Sequence, residues 1–183
     1  MKTSTIQMHA RAKVYAEVLL EAAKGSGDVL SVDAELGELL GAVRNSVNLR
    51  NALNDKALGL ESKKAIIQDV FVGFKPELLS VFEVMVERSD LAALARTSET
   101  YTDLAEKELG ATIIDVTTVI PLDDSLREMI VAKYSAEFGT DVLLREHIDS
   151  SIVGGIILST HGKRIDASVS AQLENARHTL SKS

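Results

Sequence analysis

The hydrophobic period of this chain first changes near Gly110, from helical to alternating, and that change marks off two differently built parts. Before it, apolar residues return every three or four positions, as on one face of an α-helix. After it they begin by alternating, as on a strand with one buried face. Neither pattern can satisfy the other structure, because side chains repeat every 3.6 residues on a helix and every two on a strand. The expected fold is mainly α with a small α/β part, a six-helix bundle over residues 1–110 followed by a small mixed α/β domain over residues 111–183.

Within the first half, a helix is expected over residues 6–23, with Val14, Tyr15, Val18, Leu19 and Ala22 on one face and Gly25-Ser26-Gly27 as its stop. Asp28 can cap the second helix, in which Val29, Val32, Leu36, Leu39, Leu40 and Val43 recur at helical spacing and Asp33, Glu35 and Glu38 fall outside. A short helix is read over 47–53, a break at Asn54-Asp55, and a fourth helix over 60–72 through Ile66, Ile67, Val70 and Phe71, stopped at Gly73. Pro76 suits the first turn of a fifth, whose stripe is Leu78, Leu79, Phe82, Met85 and Val86, with Asp90 as a boundary. Residues 91–109, with Leu91, Leu94, Tyr101, Leu104 and Ala105, read as the longest helix of this half and end on Gly110.

In the second half, Ile114, Val116, Thr118 and Ile120 alternate with Asp115, Thr117 and Val119, and Pro121 ends the strand. Asp123, Asp124 or Ser125 can cap the following helix, and Ser125 and Glu128 have capping-box spacing. Leu126, Met129, Ile130, Tyr134 and Phe138 form its face, and Gly139 closes it. Strands are expected over 142–148, 156–160 and 163–166, the last two joined by a turn at His161-Gly162. A final helix over 169–180 carries Val169, Leu173, Ala176 and Leu180 on one face.

Chemistry is harder to find than structure. The chain has no cysteine, which removes thiol nucleophiles, thiolate zinc sites and disulfides together. Its four histidines, His9, His147, His161 and His178, are isolated, so no metal site is expected. Gly25-Ser26-Gly27 lacks a following Lys-Ser or Lys-Thr, Gly162-Lys163 lacks the first glycine of a P-loop, and no Gly-x-Ser-x-Gly elbow occurs. Asp123-Asp124 does what a helix N-terminus requires and is not read as an acid/base pair. No catalytic, cofactor or metal residues are therefore assigned. The net charge of −7 repels nucleic acid and anionic membrane, and no stretch reads as a signal peptide or a membrane span. What remains is an adaptor that works through its surfaces.

The C-terminal half carries a resemblance. The order is strand, Val-Ile-Pro-Leu-Asp, helix, strand, the run Asp149-Ser150-Ser151-Ile152-Val153-Gly154-Gly155-Ile156-Ile157-Leu158, turn, Arg164-Ile165-Asp166-Ala167-Ser168, helix. With Tyr15-Ala16-x-x-Leu19 in the first helix, this resembles the delta subunit family of the F-type ATP synthase, the bacterial counterpart of the mitochondrial oligomycin-sensitivity-conferring protein. One departure is that Val14 stands where the family has arginine, although Arg11 lies one turn earlier. The resemblance implies a non-catalytic stator subunit that ties the catalytic head to the peripheral stalk and resists rotor torque during proton-driven ATP synthesis. It implies that the N-terminal bundle receives the N-terminal helix of an alpha subunit in a groove formed by Tyr15, Ala16 and Leu19 of the first helix and Val81, Phe82 and Met85 of the fifth. It implies also that the C-terminal domain meets the b-subunit stalk, with Gly154, Gly155, Asp166 and Ser168 in structural roles. Membrane contact would be indirect, on the cytoplasmic side of the bacterial plasma membrane, and no cofactor or nucleic acid is implied. An RNA-binding antitermination-type helical regulator is the alternative, disfavoured by the charge and by the lack of a basic stripe with aromatics.

Overall fold

The computed structural model describes residues 2–150, 152, 154–160 and 163–166. The protein is mainly helical with a small mixed sheet, and it divides into two compact units, Met1–Glu108 and Leu109–Ser183.

The first unit contains α1 (Lys2–Ser26), α2 (Val29–Asn45), α3 (Val47–Asn54), α4 (Leu60–Val70), α5 (Pro76–Glu87), a 3-10 turn (Leu91–Ala93) and α6 (Leu94–Leu109). Helix α1 packs on α2 and α5, α4 on α5, and α2 on α3. The core takes Ala12, Tyr15, Ala16, Leu19 and Ala23 from α1, Val32, Leu36 and Leu39 from α2, Leu78, Phe82, Met85 and Val86 from α5, and Leu94, Tyr101 and Ala105 from α6. Phe71, just past α4, sets its ring edge-on to Phe82 with centroids 5.8 Å apart, a preferred aromatic geometry.

Several expectations are corrected here, each for a local reason. Asp33 is not outside but fully buried, because α6 lies alongside and Thr102 Oγ1 donates to its carboxylate at 2.7 Å. The neighbouring Tyr101 hydroxyl donates to the Val29 carbonyl, so a polar seam ties α2 to α6. Asp28 makes no cap bond with its side chain, since its carboxylate is held by Lys75 Nζ at 2.6 Å. Residues 91–109 are not one helix, and α6 is not the longest: the chain turns at Ser89, which has φ 58°, and passes through the 3-10 turn first. Helix α1, at 25 residues, is longer than α6 at 16. Helix α4 stops at Val70, two residues before its expected end. Val14, Val18 and Ala22 do not share the buried arc of α1 but face solvent.

The second unit contains β1 (Ala111–Thr118), α7 (Asp124–Phe138), β2 (Asp141–Ile148), β3 (Ile156–Thr160) and β4 (Lys163–Asp166), with sheet order β2-β1-β3-β4. Strands β1 and β2 are parallel and joined through α7, as a parallel pair requires, whereas β3 runs antiparallel to β1 and β4 to β3. Ile114, Val116 and Val142 of the sheet bury against Leu122 and against Ile130 and Tyr134 of α7. Asp123 is the cap of α7, accepting from the Leu126 amide at 2.7 Å, so Ser125 and Glu128 do not form the box that their spacing suggests. Gly139 ends the helix at φ 70°, a conformation that costs glycine little. Leu126 and Met129 lie off the buried face of α7, with Met129 62% exposed, because that face runs through Ile130 and Tyr134, with Val131 and Phe138 partly buried beside them. Ile120 falls outside β1 and is exposed. Gly154 and Gly155, with φ 151° and 90°, make the bend into β3. The turn expected at His161-Gly162, Ser168, His178 and the helix expected over 169–180 lie outside the described residues.

On the strand face away from α7, Asp115 receives two hydrogen bonds from Arg145, its register partner on β2, and contacts His147 Nε2 at 3.3 Å. Burial alone pushes the Asp115 carboxyl up, but the bonds from His147 and Arg145 outweigh it and hold it down at about 2, against an ordinary 3.8. A carboxyl depressed in the folded state stabilises the fold above its unfolded value, and that stabilisation is lost as pH falls from about 4 through about 2. The loss should be about 1–2 kcal/mol after allowance for solvent screening. Urea midpoints of the C-terminal unit measured between pH 5 and pH 2 should drop by this amount more in the wild type than in Asp115→Asn. Parallel curves for the two proteins would contradict the assignment.

Candidate docking surface

Helices α1 and α5 are antiparallel, and side chains at both ends record it. Ser26, the last residue of α1, donates its hydroxyl to Glu77 in the first turn of α5 at 3.1 Å. At the opposite end, Tyr15 OH donates to Asp90 Oδ2 at 2.9 Å and Arg11 Nη1 to Asp90 Oδ1 at 2.5 Å, so Asp90 ties α1 to the chain leaving α5. Burial, and next the bond to Asp90, pushes the Tyr15 phenol above its ordinary value, while the Arg88 guanidinium acts the other way.

Between these ties lie the six residues read from the sequence. Tyr15, Ala16, Leu19, Phe82 and Met85 are buried, and Val81 is half-buried. They form the floor of the α1/α5 seam. Helical spacing then shows which side chains stand above it. On α1, Arg11 marks the side turned to the end of α5, and Val14, Val18 and Ala22 follow along that side at intervals of three and four. On α5, Glu77 marks the side turned to α1, and Val81, Val84 and Arg88 follow in the same way. Val14 is 56% exposed, Val18 54% and Val84 39%. The seam is thus a shallow apolar strip with charge confined to its ends. Such a strip suits the apolar face of another helix, and it holds no nucleophile or acid/base pair.

The sequence pattern groups Val14 and Val18 with the buried face of α1 and does not single out Val84, whereas all three are exposed. The available signal was the run Val14–Val18–Ala22 at i, i+4, i+8, offset from the Tyr15–Leu19 line, which makes the apolar arc of α1 wider than one core contact needs. A second concavity, between α1 and α6, is floored by Leu20 and Leu104, but Lys24 there already bridges Glu108 at 2.7 Å and Glu21 at 3.1 Å. In the C-terminal unit, Gly154 and Gly155 sit at the bend before β3 and Asp166 ends β4 opposite Ile157, while Ser168 lies outside the described residues. No described helix is long and apolar enough to cross a membrane.

Comparison with known proteins adds an independent line. The family model described as ATP synthase delta (OSCP) subunit matches residues 12–180. ATP synthase subunit delta of Anaeromyxobacter dehalogenans is 32% identical over 175 residues, covering 94% of this chain and 98% of that protein. The subunit delta of Microcystis aeruginosa is 26% identical, covering 92% and 94%. Among solved structures, a chain of the Toxoplasma gondii mitochondrial ATP synthase hexamer superposes with a TM-score of 0.53 at 22% identity, over 92% of this chain and 96% of that one, a likeness of fold.

Proposed function

Because the chain belongs to the ATP synthase delta (OSCP) subunit family, we propose that its α1/α5 strip is where it holds the catalytic head of an F-type ATP synthase. In that family the subunit is structural and not catalytic, a stator part that keeps the head from turning with the rotor. Residues 1–110, acting as a six-helix bundle, take the N-terminal helix of an alpha subunit along Val14, Val18, Val81 and Val84, over the floor of Tyr15, Ala16, Leu19, Phe82 and Met85. Residues 111–183 take the b-subunit of the peripheral stalk, with Gly154, Gly155, Asp166 and Ser168 shaping the backbone there. The protein then resists rotor torque during proton-driven ATP synthesis from the cytoplasmic side of the bacterial plasma membrane, touching the membrane only through the complex.

The observation that carries this reading is the exposed apolar strip between two helices whose buried side chains are already satisfied. Burying a valine stabilises by about 1.5–3 kcal/mol, so three or four such contacts can hold a helix after the cost of ordering it. Calorimetric titration with a synthetic peptide of the alpha-subunit N-terminal segment from the same source should show saturable one-to-one binding with a negative heat-capacity change. Absence of heat and of any chemical-shift change in the folded protein would overturn the reading.

A further inference from the structure

The chain has no cysteine, so its softest oxidisable side chains are its four methionines. Met85 of α5 lies in the core at 1% exposure, whereas Met129 of α7 is 62% exposed. Leu126, one turn earlier on the same side of α7, is 37% exposed. Arg127, in the first turn of α7, donates to Glu146 near the end of β2, which sets that turn beside the end of the sheet where Ile148 closes β2. Ile120 reaches the same end, since Thr118 is the register partner of Ile148 and its hydroxyl donates to the Ile120 carbonyl. Ile120 and Ile148 are 71% and 63% exposed. Four large apolar side chains thus meet solvent at one end of the C-terminal unit, an arrangement that marks a contact surface. Around them the carboxylates of Asp123, Asp124, Glu128 and Glu146 outnumber the cations Arg127 and Lys133, so a complementary partner is apolar with basic flanks.

We propose that Met129 is an oxidation site on this surface, and that its sulfoxide loosens the hold on an apolar, basic-flanked helix of the b-subunit stalk. The inference rests on the reading under Proposed function and adds a redox control to it. The oxidant is a hydroperoxide, hydrogen peroxide being the simplest. A lone pair of the Met129 sulfur attacks one peroxide oxygen, an S–O bond forms as the O–O bond breaks, and the leaving hydroxide takes the proton of the transferred oxygen to become water. Sulfur gives up two electrons and the peroxide accepts them. A polar, chiral side chain then stands where a flexible apolar one stood, and the change is reversible by methionine sulfoxide reductases. In the free protein the new oxygen is solvated, because Met129 faces water, and the fold is indifferent to it. In the complex it is pressed against apolar side chains, where an acceptor without a donor is unfavourable. Burial shields Met85 from the same reaction.

Arg127 and Lys133 bracket Met129, so trypsin releases it in the peptide of residues 128–133, apart from Met85. The folded full-length protein is treated with dilute hydrogen peroxide, the peptides are followed by mass spectrometry, and binding of the soluble part of the b-subunit stalk is titrated before and after. Oxygen should enter the Met129 peptide about tenfold faster than the Met85 peptide, and the oxidised protein should bind the stalk about tenfold more weakly. Methionine sulfoxide reductase should restore the affinity. Met129→Gln should show the loss without peroxide, and Met129→Leu should bind equally well before and after treatment. Met85 oxidised as fast as Met129 in the folded protein overturns the assignment of the site. Full oxidation of Met129 with unchanged affinity, or an equal loss on treating Met129→Leu, overturns the redox control and leaves the stalk contact standing. No stalk binding by the untreated folded protein overturns the stalk contact and the redox control together.

Discussion

Phe82→Ala should lower the stability of the N-terminal unit by about 3–5 kcal/mol, the usual cost of emptying a buried phenylalanine site. The side chain is 1% exposed, packs edge-on against Phe71, and sits where α5 meets α1. Little around it can collapse into the space, since Leu78, Met85 and Val86 on the same helix are themselves buried and Leu19 is fully enclosed. The expected observation is a fall in the urea midpoint of this unit without a change in the slope. The protein has two compact units, so the transition must be followed with a probe in the first of them. A loss under 1 kcal/mol would mean that Phe82 is not part of the core.

The second large effect separates floor from surface. The double variant Val18→Asp, Val84→Asp should weaken the alpha-subunit peptide about 100-fold or more while moving the urea midpoint by less than about 1 kcal/mol. Val18 and Val84 are 54% and 39% exposed, so carboxylates there are solvated in the free protein and cost the fold little. In the complex the same carboxylates would be trapped against an apolar helix face, where an unpaired charge is strongly unfavourable. Unchanged affinity in the folded double variant would move the docking site away from the α1/α5 strip.

How far the sequence foretold this architecture depends on what each residue had to satisfy. Elements with a strong period and a chemical stop were legible: Pro76 at the start of α5, Gly139 at the end of α7, and the change of period at Gly110 before β1 all stand where the residues placed them. The failures arose where a second helix supplied a partner that no local pattern reveals. Asp33 reads as a solvent residue because it falls outside the apolar stripe of its own helix, and Thr102, 69 positions away, makes it internal. Asp28 looked like a cap until Lys75 took its carboxylate. The 3-10 turn at Leu91–Ala93 was hidden because Leu91 and Leu94 satisfy helical spacing whether or not the helix is continuous.

The apolar strip between α1 and α5 shows the same limit. Tyr15, Ala16, Leu19, Phe82 and Met85 were brought forward by the resemblance, and they lie together beneath the α1/α5 seam. Which members of an apolar arc are enclosed depends on where the neighbouring helix crosses. The packing of α1 on α5 and the ties from Arg11 and Tyr15 to Asp90 and from Ser26 to Glu77 reveal that crossing, and with it the exposure of Val14, Val18 and Val84.

The central claim is that one chain joins head to stalk, and sedimentation tests it most directly. The catalytic head of the same enzyme, prepared without this subunit, and the soluble part of its b-subunit stalk should sediment separately when mixed. Adding this chain at stoichiometric amount should bring all three into one faster species, and the Val18→Asp, Val84→Asp variant should leave the head behind. Head and stalk that stay apart in the presence of the folded wild type, or that join without it, would contradict the account.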